Sequence, residues 1–510
     1  MSRLTVIVAP WGNPFGWGAA TYSLSEEHRE VTVRDRRTSL ACLVEALEPD
    51  AVVVIIPETV LCPGSRHVEQ LRQRGGRPLS EVLESGEPYS SAIEALESAM
   101  TKLYEEWVGG PSPRIVVAPA VGEYDCEGKR CAWSVGLRRV DPVSAYAAFV
   151  LVSVAAVADL RAMGSSEVLI ALDTTHGVNY MPLAAYRATM AAARVLSAAL
   201  NVRVEFRQYN SAPYPRGALG RVALEIFRVR SEVITPNKAA QRLVYSYLLR
   251  EAGHAKPLLR AREAGIELPE WLSDVEGRFE WLRSLHSDVS PLAASIHFSM
   301  PLAFLQLGLE CASKYAGKLR TGWLSELSEA LRRVLGLVQV SEDRGRVRVR
   351  HLAMPRYDDI KSLLAAASLV MYSRHALDRA KLAVSRGVVE ASLVELREVA
   401  ESWLRGPLLG VAMHEIRAFE KAHARRSAPD ALPLLIGEAR AREGEWASLK
   451  RGCENDSRIY VAHAGLASAS IEVRVEGSEL RVRYRKQCLS NLRSCLRGAL
   501  RETLRLVSGD

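Results

Sequence analysis

Apolar positions in the first half of the chain cluster into short, β-branched runs: LTVIVA (4–9), VTVRD (31–35), AVVVII (51–56), RIVVAP (114–119), EVLIALD (167–173) and VRVEFRQ (202–208). Between the later runs lie alanine-rich stretches of helical length, 142–163 and 181–200. Alternation of this kind predicts βα units, and so an α/β, Rossmann-like N-terminal domain with a mainly parallel sheet over residues 1–234. The run RVALEIFRVR (221–230) is expected to return beside VRVEFRQ as a hairpin around SAPYPRG. After about residue 235 the period changes: long amphipathic patterns cover 238–252, 289–318, 358–384 and 389–423, and leucines at 489, 492, 496, 500 and 504 draw one helix face. The second half therefore reads as a mostly α-helical C-terminal domain. Short β-hairpin insertions are expected at 338–352 and 470–485, where valines alternate with charges across a glycine-containing turn. The expected divisions are a helical linker or insertion region at 235–385 and a terminal domain at 386–510.

With 510 residues, 48% of them apolar, the chain has material for more than one packed core. Its most membrane-like run, AYAAFVLVSVAAVA (145–158), is shorter than the roughly 18–20 residues that span lipid. It is expected to be a buried helix, with no membrane as partner. Met1–Arg3 leads straight into a strand-like run, so no secretory leader is expected and a cytoplasmic location follows. The eight cysteines form no CxxC pair and no series with histidine at zinc-finger spacing, so free thiols are expected. The formal charge of +8 is spread along the chain, which leaves nucleic acid open as a partner without selecting it.

In an open α/β sheet, ligands sit outside the carboxyl ends of the strands. LDTTHGVNYMP (172–182) is such a loop: Asp173 closes a strand, Thr174 and Thr175 offer hydroxyls, Gly177 permits close backbone approach, and Pro182 suits the first helical turn. It can hold a phosphate or a base, and on chemistry alone it is equally an ordinary capped strand-to-helix turn. Asp173 with His176 lacks a third ligand for a metal. The first loop, APWGNPFGWG (9–18), lacks the GxGxxG spacing of a dinucleotide fingerprint. Its tryptophans either stack on bases or cap the core.

The alternating first half, the DTTHGVN loop and the following YNSAPYPRG connection resemble the CRISPR-associated Rossmann fold (CARF) domain of the CARF–HEPN ribonucleases, which are accessory to type III CRISPR defence. That family's motif runs Asp, apolar, Thr, His, Gly, any, Asn. Asp173, Thr175, His176, Gly177 and Asn179 match it, and Thr174 stands where an apolar residue is usual. The resemblance implies a homodimer or higher homo-oligomer that senses cyclic oligoadenylate as an allosteric activator. Thr175, His176, Gly177 and Asn179 would line the pocket, with Asn13 of the first loop as a further contributor.

Two Arg-x4-His pairs occur. Arg346 and His351 lie in RVRVRH, an alternating strand pattern, and an odd separation on a strand points two side chains to opposite faces. Arg458 and His463 in NDSRIYVAHAGL differ: Asn455, Asp456 and Ser457 can cap a helix that Gly465 ends. Five helical steps set the two side chains about 140° apart, flanking a ridge. A twofold dimer axis would gather two copies of the pair, with Ala462 and Ala464 allowing close approach. Arginine can stabilise charge developing on a phosphate while histidine moves a proton, and the RNA 2′-hydroxyl can attack without a metal. Standing alone, the pair is more often a surface arginine and a satisfied core histidine.

The helical second half, AHAGL after the motif, the late hairpin and the final amphipathic helix resemble the HEPN ribonuclease domain of the same family. By that resemblance Arg458 and His463 are catalytic, with no metal or cofactor, although Ile459 replaces the polar residue that many members carry after the arginine. The implied activity is a cyclic-oligoadenylate-activated endoribonuclease that cuts single-stranded RNA to 2′,3′-cyclic phosphate and 5′-hydroxyl ends. The alternatives are a non-catalytic, ligand-sensing regulator that binds nucleic acid, and a sensor domain that also degrades its own ring. HEIRAFEKAH (414–423) has the wrong spacing for HExxH, so His414 and His423 are expected on an exposed helix face. Arg474, Arg481, Arg483 and Arg485 either track an RNA backbone or solvate a strand face.

Overall fold

The computed structural model describes residues 3–508 except 27–28, 63, 65–66, 127–128, 136–139, 162–163, 178–179, 215–221, 249–257, 262–268, 344–345, 381, 427–443, 451 and 478. Its largest sheet has eight strands, in the order Arg29–Arg36, Ala20–Glu26, Ala223–Ile234, Arg203–Ser211, Glu167–Asp173, Arg3–Pro10, Ala51–Pro57 and Arg114–Ala118. The sheet is mixed. Five neighbouring pairs run parallel, while the two pairs nearest the Arg29–Arg36 edge that involve hairpins, Ala20–Glu26 with Arg29–Arg36 and Arg203–Ser211 with Ala223–Ile234, are antiparallel. All seven residues of Ala51–Pro57 are buried, as expected of a parallel strand covered on both faces.

Each expected strand of the first half is present, and 221–230 does return beside 202–208. The strand Ala20–Glu26 was not foreseen, because ATYSLSE mixes small and polar residues and lacks a β-branched run. Two helices, Pro142–Arg161 and Met181–Leu200, pack together on the sheet, and the long Tyr357–Ala380 helix packs across both. Pro142–Arg161 has the length and apolarity to cross a membrane, but most of it is enclosed by neighbouring helices. It is a core helix here.

Beyond residue 235 helices dominate, and the described residues form three further sheets: Arg260–Ala261 paired with Ala353–Met354, a four-stranded sheet, and a five-stranded sheet in the order Ala383–Ser385, Val388–Ser392, Glu479–Tyr484, Ile471–Glu476 and Ala447–Ser448. The hairpin Val338–Asp343 and Arg346–His351 extends a second hairpin, Gly122–Cys126 and Lys129–Ser134, into four strands. Arg346 and His351 do face apart: Arg346 reaches Glu123 near the surface, while His351 is fully buried against Glu58 at 2.8 Å. The helical pattern at 389–423 is broken into three elements. It opens as a wholly buried strand, Val388–Ser392, continues as the helix Leu393–Trp403 under a Ser392/Glu395 capping box, and resumes at Leu409–Arg426 after Gly406 and Pro407. A short, fully apolar strand cannot be told from a helical segment by period alone.

The expectation of free thiols is corrected. Cys453 and Cys488 form a disulfide with their Cα atoms 5.4 Å apart, and Cys62 is also bridged. Cys42, Cys311 and Cys495 are buried thiols outside any disulfide, and Cys131 is buried as well.

Candidate functional site

Asp173 ends its strand buried, and its carboxylate organises the turn that follows. Oδ2 accepts from the Ser39 hydroxyl at 2.7 Å and Oδ1 from the Thr175 N–H at 3.0 Å. Thr174 is tied to the next strand through its hydroxyl, which donates to the Tyr209 carbonyl at 2.8 Å. Thr175 Oγ1 accepts the Ser211 N–H at 3.1 Å, which leaves its own hydroxyl proton to donate. The loop is thus fastened on both flanks before any ligand arrives.

His176 is held at three points. Its carbonyl accepts the Gly12 N–H at 3.1 Å, its Nε2 accepts the Ser39 N–H at 3.2 Å, and its ring stacks on Trp17 at 4.0 Å between centroids. Burial pushes the imidazole down to about 4 against the opposing pull of the Asp173 carboxylate, so it is neutral at pH 7 and can accept that backbone hydrogen bond. A Cβ on Gly177 would lie 2.6 Å from Pro182 Cγ, so only glycine lets the loop turn into the Met181–Leu200 helix here. Asn13 is exposed on the first loop, and its Oδ1 accepts the Phe15 N–H at 3.2 Å. Asn179 lies outside the described residues. Trp11 is fully buried and caps the core, whereas Trp17 is half-buried against His176. The structure therefore brings Gly12, Trp17 and Thr175–Gly177 together at the carboxyl ends of two adjacent parallel strands.

Arg458 and His463 lie at opposite ends of the short helix Ser457–Ala462. Asp456 caps it by accepting the Arg458 N–H at 2.8 Å, and left-handed Ala464 and Gly465 end it. Glycine is required at 465, where a Cβ would meet the Tyr484 hydroxyl at 2.9 Å. Tyr460 anchors the inward side, its hydroxyl on Ser470, and burial pushes that phenol up to about 12. The Cys453–Cys488 bridge and Tyr484, donating to the Gly465 carbonyl at 2.6 Å, tie the flanks to the final helix and hairpin. Outward, Arg458 and Ile459 are exposed, and the His463 side chain is 50% exposed. Ala462 is also exposed, but Ala464 is buried and cannot serve as an approach surface.

One partner was missed by sequence reasoning. Glu415 on the Leu409–Arg426 helix sets Oε2 3.3 Å from His463 Nδ1. It lies within the very segment set aside for its HExxH-like spacing, and no local pattern joins residues 48 apart in sequence. With Nδ1–H donating to that carboxylate, Nε2 of the neutral ring is left as an acceptor for another partner. His414 is exposed as expected, and the His423 side chain lies outside the described residues. Arg474, Arg481 and Arg483 are paired with Glu390, Glu395, Glu472 and Glu476, so they are not simply a solvated face.

Adjacent parallel strands with fastened, glycine-bearing loops at their carboxyl ends define an α/β ligand-binding domain. Residues 6–213 match the family model of the CARF domain of the CRISPR system endoribonuclease Csx1. That stretch of the chain is therefore similar to a CARF domain, and the match covers less than half of the 510 residues. It is 24% identical over 302 residues to the CRISPR system endoribonuclease Csx1 of Methanocaldococcus jannaschii, covering 59% of this chain and 54% of that protein, so the chain spans about half the length of the curated relative it matches. Among solved structures, Enterococcus italicus Csm6 bound to cyclic hexa-2′-fluoro-hexa-dAMP aligns over 85% of this chain and 89% of that one, at 12% identity and a TM-score of 0.23.

Proposed function

We propose that this protein is an endoribonuclease for single-stranded RNA, switched on by cyclic oligoadenylate at the Thr175–Gly177 loop and cutting at Arg458 and His463. The observation that carries the proposal is an exposed Arg458 and a half-exposed His463, backed by Glu415, on one pinned helix of a chain with a CARF-like domain. In the proposed reaction the RNA 2′-oxygen attacks phosphorus as its proton leaves and the P–O5′ bond breaks. The 5′-oxygen takes up a proton, so the ends are a 2′,3′-cyclic phosphate and a 5′-hydroxyl. His463 Nε2 moves one of those protons and Arg458 meets the charge growing on the phosphate oxygens. No metal takes part in this route. A homodimer would bring two such helices to one cleft. The ring acts by population shift, binding the cleavage-competent arrangement better than the resting one.

The test is direct. Labelled single-stranded RNA is incubated with the protein in EDTA, with and without synthetic cyclic tetra- or hexa-adenylate, and the product ends are typed. Ring-dependent cleavage to cyclic phosphate ends is expected. Ring and RNA binding without cleavage would instead support a non-catalytic regulator, and loss of the ring itself in His463→Ala would add a ring-degrading sensor.

A further inference from the structure

A groove of about 600 Å³ opens on the C-terminal five-stranded sheet, away from the chemistry assigned above. Its floor is neutralised. Arg483 donates to Glu390 at 3.0 Å and to Glu472 at 2.9 Å, Arg474 pairs with Glu390 and Glu476, and both guanidiniums lie over the Trp446 ring, at 4.1 and 4.8 Å from its centroid. Guanidiniums laid on an indole present a flat, polarisable surface on which a nucleobase can stack.

The rim differs from the floor. Arg386, Arg485 and Lys486 also line the groove, and among the described residues none of the three has a carboxylate partner. Arg485 spends Nη1 on the carbonyls of Lys450, Gly452 and Ala469, which fixes its position without neutralising its charge. Arg386 sits at φ 52°, followed by Gly387 at φ 79°, in the two-residue turn between paired Ser385 and Val388. Asparagine or glycine would fit that left-handed position more easily than arginine. The turn tip thus displays an exposed guanidinium where its backbone does not favour one.

The groove wall is joined to the Arg458–His463 helix. Tyr484 bonds the carbonyl of Gly465, Arg485 bonds the segment before the helix, and Cys488 is bridged to Cys453. We propose that this groove anchors single-stranded RNA outside the cleavage centre, stacking a base on the Trp446-backed guanidiniums and taking phosphates on Arg386, Arg485 and Lys486. Single strands suit it because a base inside a duplex already has both faces stacked on its neighbours. The identity of the strand rests on the RNA-cleavage proposal above.

The test uses the full chain with His463→Ala, so that bound RNA survives, and a fluorescein-labelled unstructured RNA read by anisotropy across a salt titration. Arg386→Asn with Lys486→Gln removes two charges, and asparagine is at ease in the left-handed turn, so the fold is retained. The expected result is an affinity about 10-fold weaker and a salt slope shallower by about 1.4, at roughly 0.7 per lost contact on a single strand. An unchanged affinity and slope in that variant, in a protein whose His463-intact form cleaves RNA, would overturn the groove and leave the ribonuclease standing. Absence of both RNA binding and cleavage in the parent chain would remove the ribonuclease and the groove together.

Discussion

His176 and His463 are the same residue in opposite settings. His176 is stacked on Trp17, accepts a backbone N–H, and is kept neutral by burial. His463 is half-exposed at a helix end with a single carboxylate at Nδ1. A ring whose nitrogen is already committed to the backbone holds a shape and makes a poor proton carrier. A ring with one nitrogen oriented and the other facing outward is built to move a proton. Under the proposed function, the contrast fits recognition at the first loop and chemistry at the second.

The largest effect expected is on cleavage. His463→Ala should lower RNA cleavage about 1,000-fold, within the range usual for a general acid or base, while leaving ring binding by calorimetry unchanged. His176→Ala should do the reverse, weakening ring binding while cleavage at saturating ring persists. Equal loss of both activities in both variants would erase the distinction.

The two regions are also held differently. The Asp173–Gly177 loop is fastened by Asp173, Ser39 and Tyr209, whereas the helix Ser457–Ala462 leans on the Cys453–Cys488 bridge. Replacing both cysteines by serine should cost about 3–4 kcal/mol in a urea melt, on a chain-entropy account of a loop this long. Hydrogen exchange should then show lost protection at 457–465 and none at 173–177.

A pH experiment isolates the first loop. His176 titrates near 4 in the folded chain against 6.5 when unperturbed, so the unfolded chain binds more protons between those values. Its stabilising contribution is complete above pH 6.5 and is lost as the pH falls towards 4, by up to about 3 kcal/mol. His176→Gln should flatten that part of the stability curve. The smallest effect belongs to Glu415: Glu415→Gln keeps an acceptor but not the charge, and should lower kcat about 10-fold with KM little changed, Glu415→Asp restoring part of the loss.

Local chemistry was legible in the chain wherever one element settled it. The Asp456 cap, the glycine stop at 465, the crossing faces of Arg346 and His351 and the strand ending at Asp173 all follow from spacing within a few residues. Contacts that close over long separations left no such trace. Ser39 reaches Asp173 across 134 residues, Glu415 reaches His463 across 48, and the cysteine pairing depends on where a loop and a helix start happen to meet. Ala464 illustrates the limit: small size suggested an approach surface, but its left-handed backbone turns it into the core.

The division of labour between the two loops is tested most directly by RNA cleavage rate against ring concentration in the parent chain, Thr175→Val and His463→Ala. Thr175→Val should move the midpoint to higher ring concentration and keep the plateau, while His463→Ala should stay flat at every concentration that still saturates its sensor. A plateau lowered by Thr175→Val at an unmoved midpoint, or cleavage at the parent rate by His463→Ala, would contradict the assignment.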